Sequence, residues 1–284
     1  MPVLDCRGRP LDFSRPAVMG ILNITPDSFS DGGNFLSRHN AVMQGLRMAQ
    51  EGADIIDVGG ESTRPGAQPV TVQEEMDRVL PIIEALHASV SLPLSIDTSK
   101  PEVMRAAVSA GAGLINDVRA LREPGALEAA AGTGAPVCLM HMRGEPRTMQ
   151  ADPYYDDVVA EVAEFLRERM QAARAAGIPA NRMLIDPGFG FGKTLVHNLE
   201  LLRGLRKLTS LGAPVLAGLS RKSMIGQALG LPVENRLHAS VALAVLAVQN
   251  GASLVRVHDV GPTVEALRMW AEVYPKTAGE KDNE

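Results

Sequence analysis

Apolar residues along this chain fall into two patterns that alternate from end to end. Short runs rich in Val, Ile and Leu are followed by longer stretches whose apolar positions recur at helical spacing. The short runs are Val18-Met-Gly-Ile-Leu22, Ile55-Ile-Asp-Val58, Leu94-Ser-Ile-Asp97, Leu114-Ile-Asn-Asp117, Val137-Cys-Leu-Met-His141, Met183-Leu-Ile-Asp186, Val215-Leu-Ala217 and Leu254-Val-Arg-Val257. The approach to a strand is spelled almost the same way each time, as Gly52-Ala53, Gly111-Ala112, Gly134-Ala135, Gly177-Ile178, Gly212-Ala213 and Gly251-Ala252. Glycine takes the left-handed conformation without a Cβ clash, so each pair predicts a helix end.

Alternating strands and helices predict a parallel sheet, because parallel neighbours need a crossover connection. Eight such units in 284 residues suit a (β/α)8 TIM barrel, whose usual length is about 250 residues. An open doubly wound sheet is the alternative. Each strand finishes on or beside a hydrogen-bonding residue: Asn23, Asp57, Asp97, Asn116, His141, Asp186, Ser220 and His258. An open sheet gathers its ligands at one switch point, whereas a closed barrel converges all its strand ends on one mouth, so the polar ends favour the barrel. The expected organisation is a single α/β domain. Residues 1–16 form a hairpin that turns at Gly8 and closes the barrel floor, 17–275 form the barrel, and 276–284 form a polar, flexible tail.

Composition narrows the function classes. The chain is 45% hydrophobic and only 4% aromatic, a mix suited to helices packed on a buried parallel sheet. Its net charge of -5 argues against a nucleic-acid partner. No apolar stretch approaches the roughly 20 residues of a membrane span, and the N-terminus lacks a signal-peptide core, so a cytoplasmic location is expected. The two cysteines, Cys6 and Cys138, have no metal-ligand or disulfide-framework spacing, and Cys138 reads as a small core residue.

Several segments carry candidate chemistry. The loop Asn23-Ile-Thr-Pro-Asp-Ser-Phe-Ser-Asp-Gly-Gly33 is long and rich in turn formers, as a mobile lid bearing Phe29 would be, or an ordinary surface loop. Gly59-Gly-Glu-Ser-Thr-Arg-Pro-Gly66 can turn backbone NH groups, Thr63 and Arg64 onto an anion. Asp57, Asp97, Asn116 and Asp186 either cap neighbouring loops or face a donor-rich ligand, with Lys222 and Arg256 to offset their charge. Asp186-Pro-Gly-Phe-Gly-Phe-Gly-Lys-Thr194 ends like a phosphate loop, but Pro187 stands where that motif requires glycine, so the nucleotide reading fails. Its Phe191 is expected to line a pocket. Ser220-Arg-Lys-Ser223 precedes a helix and predicts an anion site. Arg256 and His258, two apart on one strand, point to the same face.

Met19-Gly-Ile-Leu-Asn-Ile-Thr-Pro-Asp-Ser-Phe-Ser-Asp-Gly32, Gly60-Glu-Ser-Thr-Arg-Pro-Gly66, Ser95-Ile-Asp-Thr98, Asp186-Pro-Gly-Phe-Gly-Phe191 and Ser220-Arg-Lys-Ser223 closely resemble the motifs of the dihydropteroate synthase family. The resemblance runs from about Val18 to His258. It implies a (β/α)8 barrel, a homodimer and a sulfonamide target. The implied reaction is a Mg2+-assisted transfer in folate biosynthesis, joining dihydropterin diphosphate to 4-aminobenzoate with release of pyrophosphate. It assigns the pterin to Asp57, Asp97, Asn116, Asp186, Lys222 and Arg256, and the diphosphate to Asn23, Arg64, Arg256 and His258. Asn23 is also assigned the metal. Phe29, Thr63, Arg64, Pro65, Phe191 and Ser220 are assigned the aminobenzoate, while Asn23, Arg64, Lys222, Arg256 and His258 are expected to act in catalysis. The chemistry agrees, since a pterin presents an amino group and a ring NH side by side and a carboxylate such as Asp186 can accept both. A pterin-dependent methyltransferase, a catalytically silent pterin-binding paralogue and a Schiff-base aldolase using Lys222 are the competing expectations.

Overall fold

A computed structural model of the chain describes residues 3–24, 33–62 (side chains from 38), 68–144 and 149–275. A two-stranded antiparallel hairpin, β1 (Val3–Cys6) and β2 (Arg9–Asp12), leads into the repeating part. There β3 (Ala17–Asn23), β4 (Ile55–Gly59), β5 (Leu94–Asp97), β6 (Leu114–Asp117), β7 (Val137–Met140), β8 (Met183–Asp186), β9 (Leu216–Ala217) and β10 (Leu254–Val257) form one parallel sheet. Its hydrogen-bonded order is β8-β7-β6-β5-β4-β3-β10-β9, and a parallel bridge between Ile185 and Val215 joins the two ends into a barrel. Val215, expected within the seventh repeat strand, therefore contributes this bridge just ahead of β9 rather than a full ladder position.

Helices cover the outside: α1 (Gly33–Gln50), α2 (Val72–Ser89), α3 (Pro101–Ala110), α4 (Ala126–Thr133), α5 (Val158–Ala175), α6 (Leu195–Arg203), α7 (Ser223–Leu229), α8 (Leu237–Gln249) and α9 (Val260–Val273). Local chemistry fixes their ends. In α2, Thr71 Oγ1 accepts from the Glu74 amide at 3.2 Å while the Glu74 carboxylate accepts from the Thr71 amide at 2.8 Å, a reciprocal capping box. Asp157 accepts from two first-turn amides of α5 at 3.0 Å each. The six expected glycines all have positive φ, from 68° at Gly134 to 118° at Gly111, although Gly212 ends a 3-10 helix rather than an α-helix.

Strand alternation divides the apolar residues into two layers. Outward side chains such as Ile56, Val58, Leu94, Ile96, Val137 and Leu139 pack under the helices in the main core. Inward side chains Met19, Ile55, Leu114, Cys138, Leu184, Leu216 and Leu254 fill the lower barrel, and Leu4, Cys6 and Leu11 of the hairpin pack against them as a plug. The hairpin sits close: a Cβ on Gly113 would come within 2.4 Å of the Cys6 carbonyl oxygen. With the floor filled by hydrocarbon, the polar residues nearer the C-terminal strand ends face the only other end of the barrel. Among the described residues no helix is long and apolar enough to cross a membrane.

Candidate active site

One step up each inward-facing strand from the apolar floor, the side chains become polar. Asp57 follows Ile55, Asn116 follows Leu114, Asp186 follows Leu184 and Arg256 follows Leu254, each two residues on and so on the same face. Ser95 and Asp97 occupy the inward face of β5, where Leu94 and Ile96 face outward.

Arg256 is the hub. Its Nε donates to Asp57 Oδ2 at 2.6 Å and its Nη2 to Asp97 Oδ2 at 2.8 Å. Asn116 Nδ2 donates to the same Asp57 oxygen at 3.0 Å. Asp57 is fully buried, and its Oδ1 has no protein partner. Burial of two carboxylates is costly without a cation, and the single guanidinium supplies it. Burial pushes the Asp97 carboxyl up to about 7, opposed by the Arg256 charge and reinforced by Asp57. Burial lowers the Arg256 pKa, but Asp57 and Asp97 outweigh it and leave the guanidinium more basic than usual. Asp57 thus lies one step below Asp97 along the barrel, as a partner of Arg256 and Asn116.

Across the barrel, Asp186 is also buried, and burial raises its pKa against the pull of Lys222. One of its oxygens accepts from the Gly188 amide at 2.7 Å. Burial brings Lys222 down to about 8, with Asp186 opposing. The Lys222 ammonium donates to the Phe189 carbonyl and lies 4.7 Å over the Phe191 ring. Phe191 packs against Val118, Met140, Met142 and Met149, an apolar patch at the rim. At the end of β3, Asn23 faces the mouth: a Cβ on Gly59 would sit 3.7 Å from Asn23 Oδ1 and 3.4 Å from Asp97 Cβ. His258 and Ser220 meet at the rim, with His258 Nδ1 3.0 Å from Ser220 Oγ, which also accepts from the His258 amide at 3.2 Å.

Two expectations are corrected. His141 does not join the mouth. Cys138 and Met140 take the inward positions of β7, so the next residue turns outward, where its ring meets Phe165 of α5 edge-on at 4.8 Å. The basic pair after β9 also divides. Arg221, at a positive φ of 57°, turns away to form a two-pronged ion pair with Asp259 at 2.6 and 2.9 Å, leaving Lys222 alone to face the mouth. Phe29, Thr63, Arg64 and Pro65 lie outside the described residues. Lys193, at the end of the run Gly188-Phe-Gly-Phe-Gly-Lys193, is buried behind this site, and its only local sequence signal is the likeness to a phosphate-loop lysine that Pro187 rules out.

Buried acceptors at the C-terminal strand ends, with Lys222 and Arg256 beside them and the Phe191 ring at the rim, define a barrel enzyme suited to a flat, donor-rich ring bearing an anionic group. The family model for pterin-binding enzymes matches residues 19–258. The chain belongs to that family. The dihydropteroate synthase of Escherichia coli strain K12 is 55% identical over 266 residues, covering 94% of each chain. Dihydropteroate synthase of Xanthomonas albilineans, solved with 4-aminobenzoic acid, superposes with a TM-score of 0.92 at 59% identity, covering 97% of this chain and 99% of that one. The same organism's enzyme in complex with 7,8-dihydropteroate gives 0.89 at 56% identity, covering 97% and 100%. Within the pterin-binding family the chain groups with the dihydropteroate synthases.

Proposed function

We infer that this chain is a transferase that condenses (7,8-dihydropterin-6-yl)methyl diphosphate with 4-aminobenzoate, giving 7,8-dihydropteroate and pyrophosphate. The observation that carries the reading is the buried Asp57–Arg256–Asp97 assembly, with Asn116 bonded to its Asp57 and Asp186 buried at the same level of the barrel. Asp186 and Asp97 accept from the amino and ring NH groups of the pterin, and Asn116 and Lys222 complete its polar edge. The diphosphate lies toward the rim, at Asn23, Arg64, Arg256 and His258. The aminobenzoate is assigned to Phe191 and Ser220, together with Phe29, Thr63, Arg64 and Pro65.

Among the described residues no group of three His, Cys, Asp or Glu side chains is placed to hold a metal by itself. Asn23 offers one neutral oxygen at the mouth, a donor that suits Mg2+ arriving with diphosphate oxygens and water. Bound there, Mg2+ would neutralise charge on the departing pyrophosphate. The protein's own part is to hold the ring by its edge and to keep positive charge beside the leaving group.

The route is dissociative. The exocyclic C–O bond breaks with its electron pair leaving on pyrophosphate, and the electron-rich dihydropterin carries the positive charge. The aryl amine lone pair then forms the C–N bond, and its proton is lost to the medium. No side chain acts as a nucleophile. The reading extends to a cytoplasmic location, with which the two buried free cysteines, Cys6 and Cys138, agree, and to a homodimer. Sedimentation of the purified protein tests the dimer.

The direct test is to incubate the protein with dihydropterin diphosphate, Mg2+ and 4-aminobenzoate, and to follow dihydropteroate and pyrophosphate. Equal amounts of both are expected. Pterin binding without dihydropteroate would instead mark a silent paralogue. Positional isotope exchange within the diphosphate, with an unreactive aminobenzoate analogue bound, is expected on the dissociative route, and its absence would remove that route.

A further inference from the structure

The loop between β8 and α6 is built from glycines in alternation with Phe189 and Phe191, and Gly188, Gly190 and Gly192 all have positive φ (67°, 79° and 64°). Such a backbone turns successive carbonyls in different directions, and a glycine-rich segment loses much conformational entropy when ordered. Every carbonyl from 188 to 192 accepts from a side chain. Gly188 and Phe191 accept from Lys193 Nζ at 2.9 and 3.1 Å, and Phe189 accepts from Lys222. Gly190 accepts from Gln150 at 2.5 Å, and Gly192 from the Tyr155 hydroxyl at 2.8 Å.

Lys193 is the centre of this arrangement and is only 3% exposed. Its third partner is His141 Nδ1, at 2.9 Å. Burial, followed by the charge of Lys193, lowers His141 to about 2, so the imidazole is neutral. With Nδ1 accepting, its proton sits on Nε2. Three acceptors around Nζ match the three hydrogens of an ammonium. Burial drives the Lys193 pKa down, and the negative charge of Asp186 works against that fall. The side chain points away from the mouth, so its place in the molecule is beneath the loop rather than against substrate.

We propose that Lys193 is a positioning residue for the transfer reaction, its ammonium tying the loop carbonyls of Gly188 and Phe191 to His141 at the end of β7 and so fixing the Phe191 ring, with Lys222 above it, as the wall of the aminobenzoate pocket. Lys193 is the one of these side chains that joins two loop carbonyls to the end of β7, beside the single bonds from Lys222, Gln150 and Tyr155. The outward turn of His141, which removes it from the mouth, is what brings Nδ1 to Lys193. This inference rests on the assignment of Phe191 to the aminobenzoate pocket, so the test includes Phe191 itself.

The experiment compares Lys193→Met, Phe191→Ala and the double variant, each well below its melting temperature, by measuring KM for each substrate and kcat. Lys193→Met is expected to raise the aminobenzoate KM by about tenfold or more, the scale of a catalytic wall displaced by a fraction of an ångström, while the KM for dihydropterin diphosphate changes by less than about threefold. Because Lys193 acts through Phe191, the double variant is expected to have an aminobenzoate KM close to that of Phe191→Ala alone. A Lys193→Met protein that melts earlier yet keeps both KM values would overturn the proposal and leave Lys193 a purely structural lysine. Additive effects in the double variant would also overturn it. If Phe191→Ala leaves the aminobenzoate KM unchanged, the pocket assignment fails instead. Should Lys193→Met not fold, His141→Gln leaves Lys193 its two carbonyl partners. A smaller rise in aminobenzoate KM is then expected, and an unchanged KM would be fatal to the idea.

Discussion

Arg256 holds two carboxylates on one guanidinium, and the burial of Asp97 beside it makes the pocket sensitive to pH. Folded Asp97 keeps its proton up to about 7, whereas an unperturbed carboxyl releases it near 3.8. The folded state therefore binds more protons across that interval, and stability declines as pH rises through it. Thermal melts of the free protein should show this slope, and Asp97→Asn should flatten it. Pterin binding runs the other way at first, because ionised Asp97 is the better acceptor, so affinity should rise through about pH 7. It should fall again above about 8, as Lys222 loses its proton. Calorimetric titration with a pterin from pH 6 to 9 checks both limbs, and a flat profile would separate these two groups from pterin recognition. Removing the hub is harsher. Arg256→Met leaves two buried carboxylates without their cation and should cost about 3–5 kcal/mol in urea melts. At this scale the sequence revealed which strand ends are polar but not always which way they point. Polarity alone puts His141 at the mouth, and strand parity removes it. Counting two residues from Cys138, an inward core position, leads to Met140 and turns His141 outward.

Helix ends and strand starts were the most legible elements, because the glycine spelling reflects a backbone conformation that other residues adopt only at a cost. That cost varies with surroundings, and two glycines separate its parts. At Gly177 the φ is 98° and nothing lies within 4 Å of an added Cβ, so Gly177→Ala should cost only the backbone term of about 1–2 kcal/mol. At Gly188 an added Cβ would lie 1.9 Å from the His141 carbonyl oxygen. Gly188→Ala should therefore lose more than about 4 kcal/mol or fail to give soluble protein. Comparable costs at the two positions in urea titrations would refute this contrast. Sequence gave no warning of the short β9, because Val215-Leu-Ala217 has the same apolar spelling as its neighbours. Only closure of the ring distinguishes it, and closure is a property of all eight strands together. The same holds for Arg221 and Lys222, adjacent cations that a positive φ sends to opposite sides.

Across the whole molecule, one end of the barrel is filled and the other is left for chemistry. The hairpin plug belongs wholly to the filled end. Leu11→Ala should destabilise the protein by about 2–5 kcal/mol while leaving both KM values of the folded enzyme unchanged. A shift in either KM would mean that the plug and the mouth communicate. The barrel itself could be read from eight repeats and their polar ends, and the hairpin from a turn at Gly8 between two apolar runs. The ion pair between Arg256 and Asp57 could not, since 199 residues separate its partners and nothing local to either announces the other. The plug has a further consequence for thiol chemistry. Cys6 lies on its inner face, where burial pushes the thiol up to about 12, and Cys138 lies above it inside the barrel with its own pKa raised by burial. Neither forms thiolate readily while the protein is closed, so alkylation must wait for an opening. The two cysteines then work as separate clocks, Cys6 reporting how often the hairpin lifts away and Cys138 how often the barrel comes apart, and alkylation of Cys6 should run the faster.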